Sequence, residues 1–304
     1  MKAIVTGGAG FIGSHLVDEL VTIGADVHVI DNLSTGRPEN VNPNASLHVL
    51  DVCSKEAKDL IVRQRPDVVF HEAAQVDVLR SIREPDFDAS VNIVGTINVL
   101  EGCCQASVKK FIYASSCAVY GDLKKDLIRE EDPADPISFY GTSKLTSESF
   151  VRLFHQMYGI PYTILRYANV YGPRQTPKGE GGVVSIFLDR IHKSLPLVIH
   201  GDGEQTRDFV YVKDVVNANL AAIQQADQEV IHVGTATRTS INQLVSVLNR
   251  IHGSKLPVVH EHERPGDIKH SCLHNKKAYN KMGWIPKYDL NTGLLETYNS
   301  VFRN

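Results

Sequence analysis

The sequence predicts an α/β protein: a doubly wound parallel sheet with a smaller C-terminal lobe. Three observations predict it. Short apolar, β-rich runs alternate with amphipathic stretches through the first half, the pattern of βαβ units. A glycine-rich turn stands between the first run and the first amphipathic stretch. After Gly172-Pro173 the texture changes, and glycines at 179–182 and 201–203 with Pro265-Gly266 cut the chain into short pieces.

In order, strands are expected at residues 2–6 (KAIVT), 26–30 (DVHVI), 47–50, 67–70 (DVVF), 111–115 (FIYAS) and 161–166 (PYTILR). Helices are expected at 11–23, 55–64, 90–105 and 142–157. Residues 232–234 would add one more core strand. Residues 1–170, with a returning segment near 205–236, would then form the cofactor-binding part. Residues 171–304 would be mainly a substrate-binding lobe.

Bulk properties narrow the partners. The 304 residues are 42% hydrophobic and 22% charged, as in an ordinary soluble domain. A net charge of −3, from 32 basic and 35 acidic residues without long runs, gives no footprint for nucleic acid or an anionic membrane. The chain opens directly on a strand, and no apolar run has membrane-spanning length, so a mature cytoplasmic protein is expected. Five cysteines without CxxC spacing speak against a disulfide framework and fit a reducing compartment. His260, His262, His270 and His274 gather near Cys272 without recognised ligand spacing, so no metal is expected.

The glycine turn carries the first chemistry. Gly7, Gly10 and Gly13 lie in TGGAGFIGS, between strand and helix. The first makes the tight turn, the second lets backbone approach a pyrophosphate, and the third packs helix on strand; the phosphates face the helix N-terminus. Asp31 closes the second strand, where a carboxylate accepts from the adenosine ribose 2′-OH and repels a 2′-phosphate. NAD is therefore expected over NADP.

Tyr140 and Lys144, four residues apart in YGTSK, share a helix face. A free tyrosine, with a pKa near ~10, is a poor base, but a nearby ammonium stabilises the phenolate. Alone such a pair is commonly an exposed helix pair. Ser116 raises its meaning, because it closes the strand in FIYASSCAVYG where such sheets face their ligand crevice. Its hydroxyl both donates and accepts, so it can hold or relay a proton.

With these residues in place, the chain resembles the extended short-chain dehydrogenases/reductases, within the NAD-dependent epimerase/dehydratase family, and there the UDP-glucose 4-epimerase branch. The resemblance runs nearly end to end. It is carried by TGGAGFIGS, DNLSTG, HEAAQ, SSCAVYG, YGTSK, RYANVYGPR, TRDFVYVKD and ERPGDIKHS. It implies a Rossmann sheet, a UDP-sugar substrate and a homodimer formed by helices matching 90–105 and 142–157, with Val91, Val94, Leu100, Phe150 and Phe154 as their apolar residues. It implies that Gly7, Gly10, Phe11, Ile12 and Gly13 form the pyrophosphate loop. Asp31, Asn32, Ser34 and Thr35 match adenosine-ribose contacts, and Asp51 and Val52 match adenine contacts. Ala73, Ala74, Asn92, Lys144 and Tyr167 match positions around the nicotinamide. Arg207 and Arg264 match arginines that grip the sugar-nucleotide diphosphate, where guanidinium forks suit phosphate oxygens. Asn169, Val198, His200 and Asp267 match further substrate contacts, the last three to uridine and its ribose.

The mechanism implied is transient oxidation at sugar C4. Tyr140 takes the 4-OH proton while C4 gives hydride to NAD; the 4-keto sugar turns over and is reduced on its other face. Departures from the pattern bear on the outcome. Dehydratases carry Asp and Glu after the Ser116-like position and decarboxylases a Glu there, whereas this chain has Cys117 and Ala118. Epimerisation is thus favoured over elimination or decarboxylation. Val76 replaces a lysine that some 4-epimerases carry near the cofactor. Ser271 replaces a bulky tyrosine, which would leave room for a 2-acetamido group. Alternatives are another nucleotide-sugar dehydratase or reductase, a UDP-glucuronate 4-epimerase, and, outside enzymes, a catalytically silent NAD-binding sensor.

Overall fold

Six β-rich runs, each bounded by a turn, become parallel strands, buried on both faces except at the edge strand β3: β1 (Lys2–Thr6), β2 (Asp26–Asp31), β3 (Ser46–Val49), β4 (Val68–His71), β5 (Lys110–Ser116) and β6 (Tyr162–Tyr167). The structure, a computed structural model, describes residues 1–177, 182–263 and 268–302. Short strands β7 (Asn169–Tyr171), β8 (Leu197–His200), β9 (Thr206–Arg207) and β10 (Phe209–Tyr211) come next. The chain then returns to the main sheet as β11 (Glu229–Val233), which pairs parallel to β6. The spatial order is β11-β6-β5-β4-β1-β2-β3. Strand order reverses at β1, which pairs with both β2 and β4, and the crevice beyond these strand ends is where such sheets bind ligands. The doubly wound sheet predicted from the sequence is the observed one; its last strand begins three residues before the expected 232–234.

Helices cover both faces. On one, Leu16, Val17 and Leu20 of α1 (Phe11–Thr22) share a core with β1 and with residues 215–222. On the other, α2 (Lys55–Gln64) contributes Leu60 and Ile61 beside Val99, Leu100 and Cys103. Between them in sequence come α3 (Val78–Arg83), α4 (Pro85–Ala89), a π-helical stretch at Ser90–Val94 and α5 (Gly95–Ala106). α6 (Phe139–Tyr158) crosses the same face. α7 (Val183–His192) precedes α8 (Val212–Ala222), which carries residues 215–222 of the first core and packs on α1. The lobe is completed by β12 (Thr239–Ser240), α9 (Ile241–His252), β13 (Val258–Glu261), α10 (Lys276–Met282) and α11 (Leu290–Phe302). Its core joins Phe187, Leu244, Leu248 and Leu294 to Tyr171 and Tyr211.

Two helices differ from the sequence expectation, and both differences move site residues. The stretch 90–105 is not one α-helix, because the π turn at Ser90–Val94 inserts an extra residue and rotates α5 about its axis. Leu100 consequently faces the sheet core rather than outward, while Val94 is exposed. α6 begins at Phe139, three residues earlier than expected. The Ser138 side chain accepts from Gly141 N and starts the helix there, so Tyr140 sits in its first turn. Ser54 caps α2 in the same way, and Ser240 with Gln243 forms a capping box on α9.

Two buried histidines set a pH dependence. His71 lies between the Thr6 and Thr96 hydroxyls, at 2.7 and 3.0 Å. His232 lies between Tyr120 Oη at 2.6 Å and the His274 carbonyl at 3.1 Å. Burial lowers each to a pKa of about 3. Both stay neutral when folded, whereas the unfolded chain takes up protons below its ordinary histidine value. Stability is therefore complete above that value and is lost as pH falls toward the folded one. Between pH 7 and 5 His232 alone should remove about 2 kcal/mol. Urea unfolding at both pH values checks this: His232→Gln should flatten the acid loss by that amount.

Candidate active site

A cleft of about 340 Å³ opens where the strand order reverses. Its floor is the glycine loop. Gly7 has φ +70°, and a Cβ there would lie 2.7 Å from Ala73 N. At Gly13 the approach is closer still: a Cβ would lie 2.2 Å from the Gly7 carbonyl. Gly10 stands at the start of α1 without a side-chain cap, so the first N–H groups of the helix, including those of Phe11 and Ile12, are left for an anionic ligand. Gly7, Gly10, Phe11, Ile12 and Gly13 all line the cleft.

The second wall comes from β2 and β3. Asp31 accepts from Ala9 N at 3.0 Å and Leu33 N at 2.8 Å, so its carboxylate also ties the glycine loop to the strand end. Burial raises the Asp31 pKa against these two bonds. Asn32, Ser34 and Thr35 continue the wall, and Asn32 Nδ2 donates to Asp51 Oδ2 at 2.8 Å. Asp51 and Val52 close this end. A loop with no room for side chains, an uncapped helix start and a carboxylate at the second strand end together fit a dinucleotide.

At the opposite end, β5 delivers Ser115 and Ser116. The Ser115 hydroxyl turns inward and donates to Glu148 Oε1 at 2.7 Å. Glu148 is braced by Arg166 at 2.8 and 2.7 Å and by Arg152 at 2.8 Å. Ser116 Oγ accepts from Ala118 N at 3.1 Å, which leaves its own proton to donate. Tyr140 lines the cleft beside it, and its backbone N donates to Ser81 Oγ at 3.2 Å. Lys144 is placed one layer behind: it is 3% exposed, and its ammonium donates to the Ala114 carbonyl at 2.7 Å. Burial lowers its pKa to about 8. Lys144 thus reaches the cleft through its field and Tyr140 through its side chain.

Ala73, Ala74 and Tyr167, also expected near the cofactor, line the cleft as well. Asn92 does not join them. The π turn points its side chain into a buried junction, where Nδ2 donates to the Gln75 carbonyl at 2.9 Å and to Ser143 Oγ at 3.0 Å. Its influence passes through Gln75, whose N donates to Asn92 Oδ1 at 2.9 Å.

Of the residues expected to contact the substrate, Ser116 lines this cleft, whereas Asn169, Val198, His200, Arg207 and Ser271 do not. Ser271 N donates to the Thr206 carbonyl at 3.2 Å, which sets Ser271 beside β9 and Arg207. The Cys117 thiol, pushed up by burial, feels Asp208, Arg207 and Ser271, so these residues gather next to Ser116. Asn169 opens β7, and Val198 and His200 lie on β8, paired with β13. Arg264 and Asp267 lie outside the described residues. Five polar residues that line the cleft escape the sequence reasoning: Glu72, Gln75, Asp77, Arg80 and Gln175. Arg80 is held by Glu84 at 3.0 Å and covers the Phe87 ring at 3.9 Å. Its i, i+4 spacing to Glu84 is the one signal that could have found it. No helix among the described residues is long and apolar enough to cross a membrane.

Comparison with known proteins agrees with this geometry. Residues 3–234 match the model of the NAD dependent epimerase/dehydratase family. A putative UDP-glucose 4-epimerase from Methanocaldococcus jannaschii is 42% identical, over 99% of this chain and 98% of its own length. The structure of a UDP-glucose 4-epimerase with UDP-glucose from Thermotoga maritima is 45% identical, with TM-score 0.97 and coverage of 100% and 99% of the two chains. A UDP-N-acetylglucosamine 4-epimerase from Methanobrevibacter ruminantium, in complex with UDP-N-acetylmuramic acid, is 35% identical, with TM-score 0.94 over 98% and 97%. A dinucleotide cleft ending in Ser116 and Tyr140, on a sheet shared over its full length with these enzymes, has one consistent reading: the chain belongs to the NAD-dependent epimerase/dehydratase family and resembles its UDP-glucose 4-epimerases.

Proposed function

We propose that this protein interconverts the C4 epimers of a UDP-hexose, UDP-Glc and UDP-Gal, and that it also accepts UDP-GlcNAc and UDP-GalNAc. The observation that carries the reading is the end of β5. Ser116 and Tyr140 both line the cleft there, while the next two positions after Ser116 are a half-buried thiol and a methyl group. Proton removal from a sugar hydroxyl is supported; elimination, which needs a carboxylate pair, is not. NAD, held by the glycine loop and Asp31, would supply a reversible hydride acceptor at C4. Tyr140 takes the 4-OH proton and gives it back, Ser116 holds the same hydroxyl, and Lys144 favours the phenolate electrostatically.

In this reading the glycine loop, Asp31 to Thr35, Asp51, Val52, Ala73, Ala74 and Tyr167 hold the cofactor, and residues 1–170 with the segment near 205–236 are the binding unit. Arg207 and Arg264 grip the diphosphate. Val198, His200 and Asp267 hold uridine and its ribose, and Asn169 with Ser271 faces the sugar. A homodimer would use the exposed apolar residues of the 90–105 and 139–158 segments, Val94, Leu153 and Met157.

Incubation with UDP-Glc, UDP-GlcNAc and UDP-GlcA, separating C4 epimers, tests the activity. Conversion of none would end the proposal, and conversion of UDP-GlcA alone would replace the sugar. Ser271 is 8% exposed and in this reading faces the sugar, so the volume a tyrosine adds there would be taken from the substrate side. Ser271→Tyr should lower kcat/KM for the N-acetyl sugars by roughly tenfold or more and spare UDP-Glc. Equal rates before and after would remove Ser271 as the size gate.

A further inference from the structure

Two ionisable groups of opposite sign at the reaction centre have no ion-pair partner among the described residues. Lys144 is almost fully buried, donates to the Ala114 carbonyl and lies over the Tyr113 ring at 5.0 Å. No carboxylate among the described residues stands within ion-pair distance of it. A carbonyl and an aromatic face only partly replace the hydration of an ammonium, so charge on Lys144 depends on more distant anions.

Three carboxylates act on it: Glu72, just past β4; Asp88, from α4; and Glu148, one turn along α6. His71 and the Tyr113 ring face it as well and stay neutral. Glu148 is already matched by Arg166 and Arg152. Asp88 accepts from the amides of Gln75 at 2.8 Å and Asn92 at 3.2 Å. Glu72 is placed differently. It lines the cleft, and its Oε1 accepts from Tyr167 Oη at 2.8 Å. That hydroxyl is itself an acceptor for Asn219 Nδ2 at 2.8 Å, so its one proton is directed at the carboxylate. The tether fixes Glu72 in place and leaves its charge uncompensated.

Resting on the epimerase reading above, we propose that Glu72 is a positioning residue: the fixed counter-charge that keeps Lys144 protonated, and with it Tyr140 usable as a base. Burial lowers Lys144 to about 8, with Glu72 the largest opposing influence. Burial raises Glu72 to about 7, opposed by the Tyr167 bond and then by Lys144. The pair is fully charged only in a narrow window between these values. Loss of the carboxylate charge leaves the desolvation of Lys144 less opposed, so Lys144 gives up its proton at lower pH. The alkaline limb of turnover moves down with it.

Glu72→Gln tests this, since the amide keeps the volume and still accepts from Tyr167. In protein without cofactor, carrying 13Cε-lysine, NMR titration follows Lys144, its signal identified by its absence from Lys144→Met. Its midpoint should fall by about one pH unit in Glu72→Gln, and Glu72→Asp should recover most of the shift. In turnover, the alkaline limb should move down by the same amount. Reciprocally, Lys144→Met should raise the Glu72 midpoint, read from 13Cδ-glutamate, which keeps the test open if Glu72→Gln does not fold. A Lys144 midpoint unmoved in Glu72→Gln, or a Glu72 midpoint unmoved in Lys144→Met, overturns the pairing while leaving the epimerase reading intact. Wild-type protein that turns over no UDP-sugar defeats that reading instead, and the titration still judges the pairing.

Discussion

Tyr140→Phe is expected to lower kcat for C4 epimerisation by roughly a thousandfold and to leave NAD affinity within about twofold. The two effects separate because the hydroxyl and the ring do different things. The ring and backbone hold their place: Ser138 caps the helix, and Tyr140 N donates to Ser81 Oγ whatever the side chain carries. The cleft wall proposed to meet the cofactor therefore stays unchanged. The hydroxyl is the group on that wall able, as its phenolate, to accept the 4-OH proton with a cation behind it. Ser116 has no such activation, because its oxygen already accepts from Ala118 N and the nearby Cys117 thiol is pushed up by burial. Turnover by chromatographic separation of epimers and NAD affinity by calorimetry measure the two separately. More than a tenth of wild-type turnover in Tyr140→Phe would mean another group removes the proton.

The sheet and the cofactor end of the cleft are legible in the sequence for a physical reason. Parallel strands buried on both faces read as apolar runs, and a loop that approaches backbone to backbone demands glycine at fixed positions. Gly7 and Gly13 stand in one short turn and Asp31 closes the neighbouring strand, so the sequence marks all three even though their contacts reach Ala73 and Ala9. Asn92 is not marked in this way, because its direction depends on a π turn that periodicity reads as ordinary helix. The start of α6 is hidden because Ser138, its cap, comes after a proline-rich stretch without periodic pattern. Glu72 is inconspicuous inside HEAAQ because what singles it out is Tyr167, 95 residues away, and behind that Asn219. The lobe residues are reached only through resemblance: β9 and β12 have two residues each, too short for any alternation to register.

Gly13→Ala is expected to weaken NAD binding by about 10- to 100-fold, and to lower thermal stability, with no change to any group that touches the sugar. The added methyl carbon would stand 2.2 Å from the Gly7 carbonyl oxygen, 2.8 Å from its carbon and 2.9 Å from Gly8 Cα. All three obstacles are backbone, so no side-chain rotation relieves the contact. The loop itself must move. Gly7 is pinned on the other side, where its N donates to the Ile30 carbonyl at 2.8 Å and a Cβ on it would meet the Ala73 backbone at 2.7 Å. The displacement is therefore shared with the start of α1, whose uncapped N–H groups are the proposed pyrophosphate site. Gly24→Ala is the matched control. Gly24 also has positive φ, +80°, but nothing lies within 4 Å of a Cβ there. It should cost about 1 kcal/mol of backbone strain and leave NAD affinity unchanged. Calorimetric NAD titration and melting of both variants decide the matter. Equal NAD affinity in Gly13→Ala and wild type would place the pyrophosphate somewhere other than this loop.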